Sequence, residues 1–332
     1  MTTEHPFAPY IRILGKGPTL SRPLTFEETK AAAHMILDGA VEPLQLGAFL
    51  CLLRVKTETP AEVAGFVSAV RDTIAPTPDM PHVDLDWSSY AGKSRQLPLF
   101  LLAALLLSQN GVTVFMHGTE GHTAGRLYTR ATLETLGFPT ATSTAAVADH
   151  LRERGFAYMP LAYLSPPLHA IMGLKPLLGL RSPIHTIARM LNPMRASASL
   201  LSVFHPNYRN VHQEAGHLLG DKNMAVFKGE GGEAERRPEK PCVVQSVIAG
   251  QPSEEEWRPM LPESARPSDL GMEPATLKAL WTGERKDVYA EASIIGTAAI
   301  ALKLLGRAKT QEEAVEMAGG LWTNRSKGRL AA

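Results

Sequence analysis

A proline-rich stretch, "APTPDMPHVD" from Ala75 to Asp84, divides the chain into two parts whose apolar residues follow different periods. Upstream the spacing is helical. "LTFEETKAAAHMILDG" opens on Thr25 with Glu28 three positions later, a capping box that satisfies the first free N–H groups of a helix, and Gly39 is a natural stop. "EPLQLGAFLCLLRVK" and "TPAEVAGFVSAVRDTI" follow at short intervals, the latter begun by Thr59 and Pro60. Downstream, strand and helix alternate. "GVTVFMH" and "FAYMPL" read as strands, and "YTRATLETLG" and "TSTAAVADHLRERG" as helices. Pro166 to Leu201 reads as helical again, "NMAVFKG" and "CVVQSVIAG" as strands, and "DVYAEASIIGTAAIALKLLG" as a long helix with a small-residue face. The expected fold is α/β: a small N-terminal helical domain plus a larger α/β domain around a central, mainly parallel sheet. The expected boundaries are residues 1–75 for the helical domain, with added helices from about 166–201, and residues 76–165 with 202–332 for the α/β domain. The charged segments "EGGEAERRPEKP" and "QPSEEEWRPMLPESARPSD" read as surface loops.

With 332 residues and 44% hydrophobic content, the chain can bury a full core. A net charge of +1 announces neither a nucleic-acid nor a membrane protein. Cys51 and Cys242 lie far apart, show no metal-ligand spacing and suit a reducing compartment. The opening "MTTEHPFAPY" lacks a secretory pattern, and the apolar run Leu97–Leu107 is too short to span a bilayer. A cytoplasmic protein without membrane attachment is expected.

"SSYAGKSRQLP", Ser88 to Pro98, contains the Gly92-Lys93-Ser94 ending of a phosphate loop. Trp87 stands where that loop needs its first glycine, and Asp84-Leu85-Asp86 makes a poor leading strand, so the phosphate-loop reading fails. "HQEAGH" spaces His212 and His217 five apart, one too many for the zinc-protease motif. "FMHGTEGHTAGR" puts His117 and His122 among glycines after a strand, a setting for a polar pocket but not for a metal. Between Arg154 and Gln213 there is no Asp or Glu, where about six are expected. That window carries Lys175, Arg181, Arg189, Arg195 and Arg209, a candidate surface for phosphate; helix capping and pairing with distant acids remain the alternative.

The N-terminal segment from Leu24 to Ile74, then "LGLRSPIHTIARMLNPM", "SVFHPNY" and "MAVFKGEGGEAE" in that order, resemble the anthranilate phosphoribosyltransferase and nucleoside phosphorylase superfamily over about residues 10 to 320. The resemblance implies a cleft between the domains that holds phosphoribosyl pyrophosphate and Mg²⁺, and a homodimer through the helical domain. Several positions depart from it. The family's glycine-rich diphosphate loop becomes "SSYAG", and its KHGNR motif becomes "MHGTE", keeping His117 and Gly118 but placing Met116 and Glu120 where cations belong. The paired metal carboxylates align with Ala234 and Glu235, leaving Glu235 as a metal candidate with Glu230 or Glu233 as substitutes. Arg181 matches the arginine that faces the aromatic acid, and Asn192-Pro193 is kept. These departures resemble a side branch of the superfamily that binds nucleic acid.

The leading expectation is therefore a sequence-nonspecific binder of DNA or RNA. Lys93, Arg95, Lys175, Arg181, Arg189, Arg195 and Arg209 would supply the phosphate contacts, Tyr90 or Tyr208 could stack on bases, and no cofactor is expected. The alternative is a phosphoribosyl- or glycosyltransferase with an altered acceptor, using phosphoribosyl pyrophosphate and Mg²⁺, with His117 and Arg181 as catalytic candidates. A small-phosphate sensor would use the same cleft.

Overall fold

The computed structural model describes residues 3–121, 123–328 and 330, so His122 lies outside the described residues. Four helices open the chain: α1 (Ala8–Gly15), α2 (Phe26–Leu37), α3 (Pro43–Lys56) and α4 (Pro60–Thr73). Thr25 with Glu28 and Thr59 with Glu62 form the capping boxes their spacing predicts. Glu62 also reaches across to accept from Leu24 N–H and Lys56 Nζ, so one buried carboxylate ties the start of α4 to the approach to α2.

The α/β part is built on one seven-stranded sheet in the order β3-β2-β1-β4-β5-β6-β7. The strands are β1 (Leu85–Ser89), β2 (Val114–Gly118), β3 (Phe156–Pro160), β4 (Ala198–Val203), β5 (Asn223–Lys228), β6 (Cys242–Ile248) and β7 (Gln251–Trp257). The first five are parallel, and β6 and β7 run antiparallel. From β1 the chain builds outward to β2 and β3, then returns to lay β4 on the other side of β1. The order reverses between β1 and β4, and in open α/β sheets ligands bind beyond the C-terminal ends of the strands at such a point.

Helices α5 (Phe100–Ser108), α6 (Thr129–Thr135) and α7 (Thr144–Arg154) connect the first strands. Every residue of α5 from Phe100 to Leu107 is buried, which explains an apolar run with no amphipathic period. Between β3 and β4 lie the short α8 (Leu161–Leu164), α9 (Pro166–Met172), α10 (Lys175–Leu178) and α11 (Ile184–Ile187). These share one apolar core with α1–α4 and with one face of the sheet, through Leu168, Ile184 and Met190 against Phe66, Leu201 and Val226. On the opposite face, Trp87, Leu200 and Phe227 pack with α5, α13 (Ala275–Thr282), α14 (Val288–Leu304) and α15 (Gln311–Asn324). Among the described residues no helix is long and apolar enough to cross a membrane.

Four local expectations are corrected. Asp84-Leu85-Asp86, a poor strand by composition, leads into the central strand β1, because a strand buried on both faces needs no alternation and Asp86 has a partner in His117. The helical segment expected to reach Leu201 gives way to β4 at Ala198. Gln251–Trp257, expected as loop, is the edge strand β7, whose Glu254, Glu255 and Glu256 suit an unpaired edge. The fourth, Glu230–Pro241, is the most consequential: Glu233, Glu235, Arg236 and Glu239 are all buried.

Between β4 and β5, α12 (Tyr208–Leu218) carries His212 inward. Its Nδ1 donates to Tyr208 O at 2.7 Å, and burial pulls the imidazole down from 6.5 to about 4. A base with a lowered folded value contributes stability above its unfolded value and loses it as pH falls. Between pH 6.5 and 4 the unfolded chain takes a proton the folded chain refuses, a loss of up to about 3 kcal/mol. His212→Asn, which keeps a donor for the Tyr208 carbonyl, should flatten that part of the profile of melting temperature against pH. An unchanged acid slope would assign the loss to other groups.

Candidate anion cradle at the C-terminal edge of the sheet

The loop after β1, Tyr90-Ala91-Gly92-Lys93, lies at the switch point and is gripped from two sides. Two close approaches hold its neighbours there: a Cβ on Gly118, at the end of β2, would stand 2.1 Å from Ser89 O, and one on Gly229, after β5, would stand 1.7 Å from Glu233 O. On one side, Arg126 donates to the carbonyls of Ala91 and Gly92 at 2.8 and 3.1 Å. Lys93 and Leu127 exchange backbone hydrogen bonds at 2.9 and 2.7 Å. On the other side, the N–H groups of Ala91 and Gly92 both donate to Glu233 Oε1, at 2.7 and 2.6 Å.

Glu235 completes the arrangement. Its Oε1 accepts from Lys93 Nζ at 2.6 Å and its Oε2 from Phe100 N, in the first turn of α5, at 2.9 Å. Lys93 is 2% exposed and Glu235 1%. The loop carrying both carboxylates is folded tightly on itself: Glu230 N donates to Glu235 O, and Ser202 Oγ donates to Gly232 O. Burial pushes both carboxyls above the ordinary glutamate value. The Ala91 and Gly92 N–H groups and the nearby Arg189 oppose this at Glu233, and Lys93 opposes it at Glu235. The result is a four-donor anion site, two backbone N–H groups, one ammonium and one helix N-terminus, filled by carboxylates of the same chain.

Beneath the loop, the Tyr90 hydroxyl meets His117 Nδ1 at 2.7 Å, and His117 Nε2 meets Asp86 Oδ2 at 3.3 Å. Burial raises the Tyr90 hydroxyl well above its usual value. This row is closed to solvent, with both His117 and Tyr90 buried, and the Tyr90 ring packs edge-on to His117 rather than facing solvent. Tyr208 is half-buried and accepts from Arg54 at 2.7 Å.

The cations expected to form one phosphate surface are dispersed. Lys93 is buried against Glu235 rather than facing a strand. Arg189 turns inward, donating to His185 O at 2.7 Å and facing Glu233. Arg209 donates to Val243 O on β6. Arg195 lies at the opposite, N-terminal edge, in a cleft with Arg71, Asp72, His82 and Asp221. There Asn192 clamps the turn before β4 through two hydrogen bonds to Ala196, which makes the retained Asn192-Pro193 a structural feature. Exposed cations at this edge include Arg95, two residues past Lys93, Lys228 at the end of β5, and Arg181, whose guanidinium donates to Thr123 at 3.2 Å. Half-buried Lys175 joins them, lining a cleft of about 460 Å³ with Thr119, Glu120 and His169. Among the described residues none of Arg95, Lys175 and Arg181 has a carboxylate within salt-bridge distance. Sequence reasoning missed Phe204, 57% exposed at the end of β4 beside the Glu233 loop and edge-on to His205. An aromatic directly after a parallel strand, at the switch point, was the available signal.

Residues 8–74 match the helical bundle domain of a glycosyl transferase family, and residues 94–324 match its a/b domain. The anthranilate phosphoribosyltransferase of Gluconobacter oxydans is 30% identical over 239 residues, 71% of this chain and 64% of that protein. The uncharacterized protein YbiB of Escherichia coli is 31% identical over 205 residues, 60% of this chain and 63% of that protein. In both cases the match spans slightly less than two thirds of the relative. Among solved structures, anthranilate phosphoribosyltransferase from Saccharomyces cerevisiae in complex with PRPP and Mg superposes with a TM-score of 0.79 at 16% identity, covering 99% of this chain and 96% of that one.

Proposed function

Since the chain belongs to this glycosyl transferase family, we propose that it has kept the family's frame but serves as a sequence-nonspecific nucleic-acid-binding protein. One observation carries the reading: among the described residues Arg95, Lys175 and Arg181 stand without carboxylate partners around a cradle whose own anion positions are already filled. Cations that no internal acid neutralises suit an external polyanion, and several of them around one edge suit a strand better than a single phosphate. Exposed Phe204 adds a stacking surface that tolerates any base.

Homodimerisation through the helical domain belongs to the same proposal. On α3, Leu44, Ala48, Cys51 and Val55 recur at helical spacing, with Leu44 89% and Val55 81% exposed. Leu177, 81% exposed, extends the stripe from α10, whose Leu178 lies against Gly47. A second copy would cover this surface and bring two rims to one strand. Leu44→Glu with Val55→Glu should shift the light-scattering mass from dimer to monomer; an unchanged mass would place any dimer elsewhere.

A transferase with an altered acceptor is the second reading, favoured by the solved relative with PRPP and Mg. The residues here do not fit that pair as arranged. Glu235 is held by Lys93, Glu230 lies 3.5 Å from Arg237, and Glu233 fills the loop. Among the described residues no group of three or more His, Cys, Asp or Glu could hold a metal ion.

Fluorescence anisotropy with labelled single- and double-stranded oligonucleotides at several salt concentrations tests the leading reading. Binding that ignores sequence and weakens steeply with salt is expected. Absence of binding at low salt, with calorimetric binding of PRPP and Mg²⁺, would replace it with the transferase.

A further inference from the structure

At the N-terminal edge of the sheet, opposite the cradle, two adjoining hollows of about 670 and 510 Å³ share Arg71, Asp72 and Arg195 as walls. They lie where the end of α4, the proline-rich stretch, the turn before β4 and the turn between α12 and β5 meet, at the junction of the helical part with the sheet. The acids here are already satisfied. Asp221 takes Arg71 on both oxygens, at 2.9 and 3.2 Å, and Asp72 stands 2.9 Å from Lys30 and 3.1 Å from His34. Arg195 and Lys222, both exposed, have no carboxylate within salt-bridge distance among the described residues. One wall is apolar, formed by Ile74, Pro76, Met80 and Met194. We propose that this cleft binds a small phosphate monoester, its phosphate held by Arg195 and Lys222 and its organic part laid against the apolar wall.

The turn that presents Arg195 is strained. Asn192 and Arg195 are non-glycine residues at φ 35° and 55°, in the left-handed region. Glycine makes such a turn without steric cost, and strain of this kind persists where the surroundings enforce it and the side chain is used. The surroundings do enforce it. Asn192 Oδ1 accepts from Ala196 N at 2.7 Å and its Nδ2 donates to Ala196 O at 3.0 Å, while Arg71 donates to the carbonyls of Leu191 and Met190 at 2.8 and 2.9 Å. The turn is therefore ordered before a ligand arrives, which lowers the entropy lost on binding. Two uncompensated cations match the charge of a phosphate monoester, and a guanidinium presents paired N–H groups to phosphate oxygens. Inorganic phosphate would leave the apolar wall uncovered. The site stands at the other edge of the sheet from Arg95 and Arg181, so the inference does not depend on the nucleic-acid reading.

The experiment is calorimetric titration of phenyl phosphate and of inorganic phosphate, at constant ionic strength, into the full chain and into Arg195→Gly/Lys222→Ala. The wild type should bind phenyl phosphate with a Kd of about 1 mM or tighter, and at least about threefold more tightly than inorganic phosphate. The double variant should lose at least about tenfold in affinity for phenyl phosphate. Its melting temperature without ligand should stay near that of wild type, because glycine relieves the left-handed strain at position 195. A wild type that does not bind phenyl phosphate overturns the inference, and so does affinity that survives in the double variant. Inorganic phosphate bound as tightly as phenyl phosphate overturns the assignment to a monoester. If the double variant does not fold, Lys222→Ala alone, at an exposed turn position, should weaken binding about threefold, and unchanged affinity then overturns the inference.

Discussion

Replacing Lys93 with methionine is expected to cost about 3–5 kcal/mol and to lower the melting temperature by about 10 °C, the penalty for leaving a buried carboxylate unpaired. Glu235 would keep Phe100 N–H as its remaining donor in surroundings that already hold its carboxyl above the ordinary value of 4.5. Without Lys93 that value rises further. An acid whose folded value is raised loses stability as pH climbs from its unfolded value through its folded one, so the deficit should grow above pH 4.5 and shrink in mild acid. Lys93→Met/Glu235→Gln removes both charges and should recover most of the loss. A single variant as stable as wild type, or a double variant no better than the single, would show that the pair is not what holds the loop. For the same reason charge reversal at Lys93 cannot probe a nucleic-acid surface, because it would act through folding.

Charge reversal at the rim reads binding directly. Arg95→Glu, Lys175→Glu and Arg181→Glu together should weaken nucleic-acid affinity by about a hundredfold or more at low salt, equally for unrelated sequences. The slope of log affinity against log salt should fall by about 2–3, since each phosphate contact contributes about 0.7–0.9. Among the described residues none of the three sits in an ion pair, so the melting temperature should stay near that of wild type. Affinity and slope that survive the triple change would place the binding surface elsewhere.

Much of the fold was legible in the chain, and for local reasons. Thr25, Glu28, Thr59 and Glu62 make capping boxes within four residues, so sequence spacing suffices to find them. β2, β3, β5 and β6 are short apolar runs between turn residues. The misreadings share a different cause. β1 carries Asp86 and two serines inside a sheet, and partners distant in sequence account for part of that polarity: His117 on the neighbouring strand for Asp86, and Thr129 for Ser89. β7 has the composition of a loop and is ordered by pairing with β6. The Glu230–Pro241 segment has the charge density of a solvated turn, and nothing within it says that Glu233 and Glu235 face inward.

The sequence by itself determined the periodicities, the division at the proline-rich stretch and the order of motifs that marks the family. It also determined where carboxylates are scarce. Only the tertiary structure decided which charges meet. Lys93 and Glu235 are 142 residues apart, and Ala91 and Glu233 are likewise 142. Charge patterning along a chain reports neighbours on the same helix or strand, whereas this buried ion pair is set by a sheet order that brings the segments after β1 and β5 to one edge. Lys93 therefore carried the signature of a phosphate-binding loop, and its partner turned out to be a carboxylate the fold itself supplies.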